Sequence, residues 1–291
     1  NPPSTTIYTP PRRRHNLRYE PKLNPLLPQQ KVDTSAVDLW VPAATIGLNV
    51  SQIALSNWTQ GGENSLTWTI IGTNGLKYLG PEWNFRTNFK AAYGRTKLGG
   101  STYRTNDNEL FLDLVVSKKV SLALDPYFSN TIRTAITTGY NYKVEPAERI
   151  ADFFDPGYIT QAIGFTYDKL AGFKTRFGFA VKETFTNRYR EYSDDPDTPE
   201  LEAFKIETGL ESATNLDIEF LEDMFLKTSL RLFSSFEHLD VWDVRWDNSL
   251  IARVNKFINV NLSVLVIYEK KQSFRTQVKE SLQLGLTYTI L

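Results

Sequence analysis

From Trp40 onward the chain alternates apolar and polar residues with a period of two, broken at intervals by clusters rich in Gly, Pro, Asn and Asp. Successive side chains of a strand point to opposite faces, so this period predicts strands with one apolar and one polar face. The last eleven residues show it most clearly. Leu282, Leu284, Leu286, Tyr288 and Ile290 fall on one face, and Ser281, Gln283, Gly285, Thr287 and Thr289 on the other. The stretch Trp83 to Tyr93 puts Trp83, Phe85, Phe89, Ala91 and Tyr93 opposite Asn84, Arg86, Asn88 and Lys90.

Strands are expected at Thr45–Leu55, from Leu66, at Trp83–Tyr93, Glu109–Ser117, Val120–Tyr140, Tyr158–Tyr167, Gly172–Phe185, Phe204–Asp217, Met224–Phe236, Val241–Val254 and Ile258–Glu269, and from Thr276 to the end, about twelve in all. Short connections near Gly80, Lys118, Leu170, Leu221 and Lys256 alternate with longer ones through residues 96–106, 141–157, 188–203 and 237–240. Within the second of these, Pro146 is placed to start a short helix with Ile150, Phe153 and Phe154 on one side, capping the outer mouth. Residues 1–39 hold half of the 14 prolines, around Arg12, Arg13, Arg14 and Arg18, and cannot supply a sheet ladder. They read as an extended Pro/Arg-rich arm preceding a domain at residues 40–291.

Alternation alone does not say what the apolar face meets; the polar faces do. Arg86 and Lys90 are followed on the next strand by Glu109 and Asp113. Lys174, Arg176 and Lys182 are followed by Glu207 and Glu211, those by Lys227 and Arg231, and those by Asp243 and Asp247. Sequential antiparallel strands are neighbours, so these charges are expected to meet as cross-strand pairs. A soluble barrel of about twelve strands would enclose an interior too wide to fill with apolar side chains. Turned inside out, the pattern gives an ion-paired lumen and a lipid face. The expected fold is therefore an all-β, transmembrane, up-and-down antiparallel β-barrel of about twelve strands in the bacterial outer membrane, with both termini periplasmic and the long loops outside.

Composition agrees and removes other classes. No run approaches the roughly 20 apolar residues of a helical span, whereas a membrane strand needs only about 9 to 11. Lys and Arg number 33 and so do Asp and Glu, which argues against nucleic acid as a partner. There is no Cys, hence no disulfide, thiolate metal site or cysteine nucleophile.

Two resemblances carry the location further. Gln283, Gly285, Tyr288 and Ile290 resemble the polar, glycine, aromatic, hydrophobic spacing of the terminal strand by which outer-membrane barrels are recognised for insertion; this chain has Leu291 where that group usually has Phe. The turn Asn57-Trp58-Thr59-Gln60-Gly61-Gly62-Glu63-Asn64-Ser65 resembles an uncharacterised outer-membrane barrel family of Bacteroidota-type bacteria over residues 40–291. That likeness implies fold and location, and no chemistry.

Candidate chemistry is sparse. His238 lies near Ser234, Ser235, Glu237 and Asp240, without a recognised catalytic spacing. Asp194, Asp195, Asp197, Glu200 and Glu202 form an acidic loop that lacks the ligand order of a calcium site. No enzyme activity, metal or cofactor is expected. Beyond outer-membrane lipid, two roles fit. The first is a structural or accessory subunit of an outer-membrane assembly, holding a protein partner through the arm or outer loops. The alternative is a narrow passive channel for small polar solutes.

Overall fold

The computed structural model describes residues 39–57, 62–120, 123–195, 198–270 and 275–291; the expected arm, apart from Leu39, and the turn residues 58–61 lie outside them. The strands are β1 (Trp40–Ile53), β2 (Ser65–Leu79), β3 (Trp83–Leu98), β4 (Arg104–Lys118), β5 (Asp125–Thr134), β6 (Gly139–Asn141), β7 (Glu148–Ala151) and β8 (Gly157–Leu170). They continue with β9 (Phe173–Phe185), β10 (Phe204–Leu221), β11 (Met224–Ser235), β12 (Asp243–Arg253), β13 (Ile258–Tyr268) and β14 (Gln277–Thr289). Among the described residues, twelve of these close into one antiparallel barrel in which each strand neighbours the next in sequence. The one excursion is β6–β7, a separate hairpin between β5 and β8.

Closure joins β1 to β14 from Thr45↔Thr289 to Val50↔Leu284, a shorter seam than β1 with β2, which runs from Trp40↔Tyr78 to Ile53↔Ser65. An even strand count brings both described ends to one rim, where the Ala44 amide donates to the Leu291 carbonyl at 3.3 Å. That rim carries the short connections 80–82, 119–124, 171–172, 222–223 and 254–257. The opposite rim carries 54–64, 99–103, 135–156, 186–203, 236–242 and 269–276.

Burial is reversed relative to a water-soluble domain. Ile46, Leu48, Ile70, Phe128, Ile163, Phe165, Phe177, Phe179, Leu282, Leu284 and Leu286 are exposed on the outer wall, while Asp113, Arg176, Glu207 and Glu211 are buried inside. At the short-turn rim Trp40 stacks on Tyr78, with ring centroids 4.9 Å apart, and stands edge-on to Phe85 at 5.9 Å. The only cluster of buried apolar side chains among the described residues is small: Val115, Tyr127, Ala162, Ala180 and Phe233.

Glycines let the wall close up there. Gly164 lies opposite Gly178 on β9 and opposite Tyr127 on β5. A Cβ on Gly164 would sit 2.5 Å from the Gly178 Cα and 2.9 Å from the Phe177 carbonyl carbon.

Two expectations change. The stretch 120–140 is not one strand: β5 starts at Asp125, and its Oδ1 accepts the Val120 amide at 3.0 Å, bending the chain between β4 and β5. The segment 145–157 holds no helix. β6 and β7 pair instead, and Phe153 is 64% exposed rather than packed. An isolated helix this short is marginal, whereas the hairpin satisfies its own backbone. It also offers Asp155, whose carboxylate accepts the amides of Asn187 and Arg188 at 2.9 Å each from the next long loop. Phe154 packs on Phe185, with centroids 5.8 Å apart.

Gly164→Val should destabilise the barrel by about 1 to 3 kcal/mol, the usual cost of overpacking, measured by urea unfolding in detergent micelles. An unchanged midpoint would show that the wall yields.

Candidate functional site in the barrel lumen

The polar face of each strand points inward, and mid-height of the lumen is crossed by charge pairs. Arg176 on β9 binds Asp113 on β4 through two parallel bonds of 2.9 and 3.1 Å, and reaches Glu211 on β10 at 3.2 Å. Arg231 on β11 lies 3.3 Å from the second Asp113 oxygen and 3.8 Å from Glu211. Thr131 on β5 donates its hydroxyl to Asp113 at 2.9 Å. Aromatic faces take part as well: Arg176 lies over Tyr127 and Arg231 over Phe111, 5.9 and 4.8 Å from the ring centres. This is a closed ring of two carboxylates and two guanidiniums, with Arg176 only 2% exposed.

Beside it, Glu109 on β4 accepts from Lys90 at 3.3 Å and forms an ion pair with Arg245 on β12 at 2.7 Å, and Arg245 also donates to Asp247 on its own strand at 3.0 Å. In the closed ring β4 and β12 are six places apart in either direction, so Arg245 and Glu109 span the barrel's full width. A round barrel of twelve strands spaced about 4.8 Å and tilted about 40° is about 24 Å across. Extended Arg and Glu side chains in ion-pair contact reach about 15 Å from backbone to backbone, summing ordinary bond lengths. The cross-section is therefore flattened along the β4–β12 direction.

Nearer the long-loop rim, Lys182 donates to Asp243 at 2.9 Å and Glu269 at 3.0 Å and lies over the Phe233 ring, with Glu207 opposite it in register. At that rim Lys279 on β14 pairs with Asp107 on β4 at 2.8 Å. The charged belt thus divides the lumen. A cavity of about 80 Å³, lined by Arg133, Tyr158, Lys182 and Glu269, lies on the long-loop side. A cavity of about 520 Å³ opens on the short-turn side, lined by Lys77, Arg86, Lys174, Asp217 and Lys227 among others.

Of the residues singled out from sequence, Lys90, Glu109, Asp113, Arg176, Glu211, Arg231, Asp243 and Asp247 meet a charged partner, several of them across the lumen rather than on the adjacent strand. Arg86, Lys174 and Lys227 do not: they line the larger cavity and form no ion pair among the described residues. Arg245, which ties the two halves of the belt together, was missed, although its place between Asp243 and Asp247 puts it on their inward face. Gln283 is buried and Gly285 lies beside inward Asn49 and Asn259, whereas Tyr288 and Ile290 are exposed on the outer wall.

The loops are held by their own hydrogen bonds. Ser234 donates to the backbone carbonyls of His238 and Val241, at 3.3 and 2.9 Å, and so fixes its turn. The Glu202 carboxyl is held below its ordinary pKa by the Thr198 hydroxyl and by the Asp195 amide. Tyr189, largely buried, donates to Asp152 at 3.3 Å, and burial raises its pKa. Among the described residues no three His, Asp or Glu side chains converge as a metal site.

The pairing pattern defines a closed polar-filled barrel with an apolar outer wall. A family described as a protein of unknown function (DUF3078) matches residues 50–140, under half of the chain. No curated protein matches the sequence. Similar solved structures include the translocator domain of the autotransporter NalP from Neisseria meningitidis, at 12% identity and TM-score 0.35 over 88% of this chain and 90% of that one. An outer membrane channel from Pseudomonas putida F1 is similar at 9% identity and TM-score 0.38, over 88% and 97%. The KdgM porin in complex with disordered oligogalacturonate gives 8% identity and TM-score 0.33, over 85% and 99%.

Asp113→Ala leaves two buried guanidiniums sharing Glu211 alone, and losing one partner of a buried pair costs about 3 to 5 kcal/mol. The unfolding temperature in detergent, followed by circular dichroism, should drop sharply. Arg231→Gln should lower it less, and Lys227→Gln not at all; equal effects from the last two would contradict the pairing.

Proposed function

We propose that the protein is an integral outer-membrane barrel whose lumen is closed at mid-height, serving as a structural or accessory subunit of an envelope assembly. The observation that carries this reading is the Arg245–Glu109 contact, a 2.7 Å ion pair between strands on opposite sides of the ring. An ion pair across the full width, flanked by the Asp113 and Glu211 ring, is the obstruction that supports a closed lumen. The apolar outer wall supports insertion in lipid, because a wall of exposed Phe, Ile and Leu is stable only against hydrocarbon.

In this reading the short-turn rim, with both described ends, faces the periplasm. The long loops face outward, and the arm with Arg12, Arg13, Arg14 and Arg18 or those loops hold a protein partner. Gln283, Gly285, Tyr288 and Ile290 act as the insertion signal. The protein does no covalent chemistry. A narrow channel for small polar solutes is the second reading, favoured by the 520 Å³ cavity that already opens half of the lumen.

The refolded protein in a planar bilayer should give no stepwise current, and Glu109→Ala with Arg245→Ala should give small stable steps. Steady currents from the unaltered barrel would instead establish the channel. Ile163→Arg, in the middle of β8 with apolar Phe128 and Phe179 as its neighbours, should block assembly into vesicles. An Arg at the midplane costs about 2 to 4 kcal/mol on a barrel, and normal insertion would refute lipid contact.

A further inference from the structure

The short-turn half of the lumen holds a charge arrangement that a closed barrel does not need. Lys77 on β2 lies directly opposite Arg86 on β3 in the strand register. Like charges directly opposite each other are destabilising, and no carboxylate among the described residues forms an ion pair with either. Lys174 on β9 and Lys227 on β11 line the same cavity from strands well round the ring, and they too form no ion pair among the described residues. Two carboxylates lie in that neighbourhood, Asp217 and Asp168, against these four cations; Asp168 on β8 is 3.8 Å from Lys169. Asp217 is the one on the cavity wall. It lies opposite Lys227, and its Oδ1 is buried without a hydrogen-bond partner. The remaining carboxylates of the cavity wall, Glu109, Asp113 and Asp247, are committed to the belt.

We propose that this cavity is a binding site for a small multivalent oxyanion carrying phosphate or carboxylate groups. About 520 Å³ falls within the range of small-molecule sites. The belt residues Glu109, Asp113 and Arg245 line its inner end, and the short-turn rim is its mouth. The donor set suits an oxyanion: the Arg86 fork takes two oxygens side by side, and three lysine ammoniums act as point charges around it. Stray chloride would screen the site weakly, whereas an anion of charge two or more bridges Lys77 and Arg86 and removes their repulsion. Residues 1–38 are a poor occupant on charge, since their Arg12, Arg13, Arg14, Arg18, Lys22 and Lys31 outnumber Glu20, Asp33 and Asp38. The site goes beyond the proposed envelope role and does not depend on whether the belt conducts.

The test uses the full chain in zwitterionic detergent at fixed ionic strength, titrated calorimetrically with inorganic pyrophosphate, with citrate, and with glucose as a neutral comparator. At least one anion should bind saturably and glucose should not; the tighter of the two identifies the phosphate or the carboxylate class. Lys77→Gln with Arg86→Gln, and separately Lys174→Gln with Lys227→Gln, should each weaken binding about tenfold or more, the scale of losing charge-assisted bonds. Lys118→Gln, exposed at the rim, should not. Without anion, Lys77→Gln should melt higher than the parent, and saturating anion should close that gap. Folding of each variant is checked by its heat-modifiable gel mobility. No saturable binding of either anion, binding that survives all four substitutions, or a Lys77→Gln barrel that melts no higher than the parent would overturn the site.

Discussion

The bidentate bond between Arg176 and Asp113 is the constraint on which the interior depends. Neither group tolerates the inside of a barrel alone, because a buried charge without a partner costs several kcal/mol. Together, with Arg231, Glu211 and the Thr131 hydroxyl, they form a ring in which each charge faces its opposite. The surrounding wall is shaped to admit them. Gly164, Gly178, Ala162 and Ala180 keep β8 and β9 thin, Tyr127 folds inward against that thin wall, and the Arg176 guanidinium rests over its ring. Small residues on the wall and long charged residues in the lumen are two halves of one packing solution.

The outer wall follows from the same choice. A barrel that commits its polar side chains to its own centre has only apolar ones left for its outside, and such a surface needs lipid. The long loops then have little core to join, and they fasten to each other instead: Asp155 takes two amides from the 186–203 loop, and Asn108 caps the start of the 135–156 excursion through the Ile136 and Thr137 amides.

Much of this architecture was legible in the sequence, and what escaped did so for a physical reason. The period of two places Arg176 and Phe177 on opposite faces of β9 without any knowledge of the fold, and the same rule finds the strands of the barrel. It says nothing about height or curvature. Sequence neighbours suggested that Arg86 would meet Asp113 on the next strand; in the barrel, Asp113 is taken by Arg176 and Arg231 arriving across the lumen. Arg86 is left in the cavity beneath, with Lys174 and Lys227. The segment from Pro146 that holds β7 was read as a helix because Ile150, Phe153 and Phe154 happen to recur at helical spacing. Phe153 faces solvent and Phe154 leans on Phe185, a contact no local pattern announces.

The ion pair between Arg245 and Glu109 also registers closure of the sheet. These residues are far apart in the chain and meet only when the sheet has curled through half a turn on each side. The β1–β14 seam that completes the ring is short. A contact in the middle of the molecule thus exists only by virtue of a closure made at an edge remote from it.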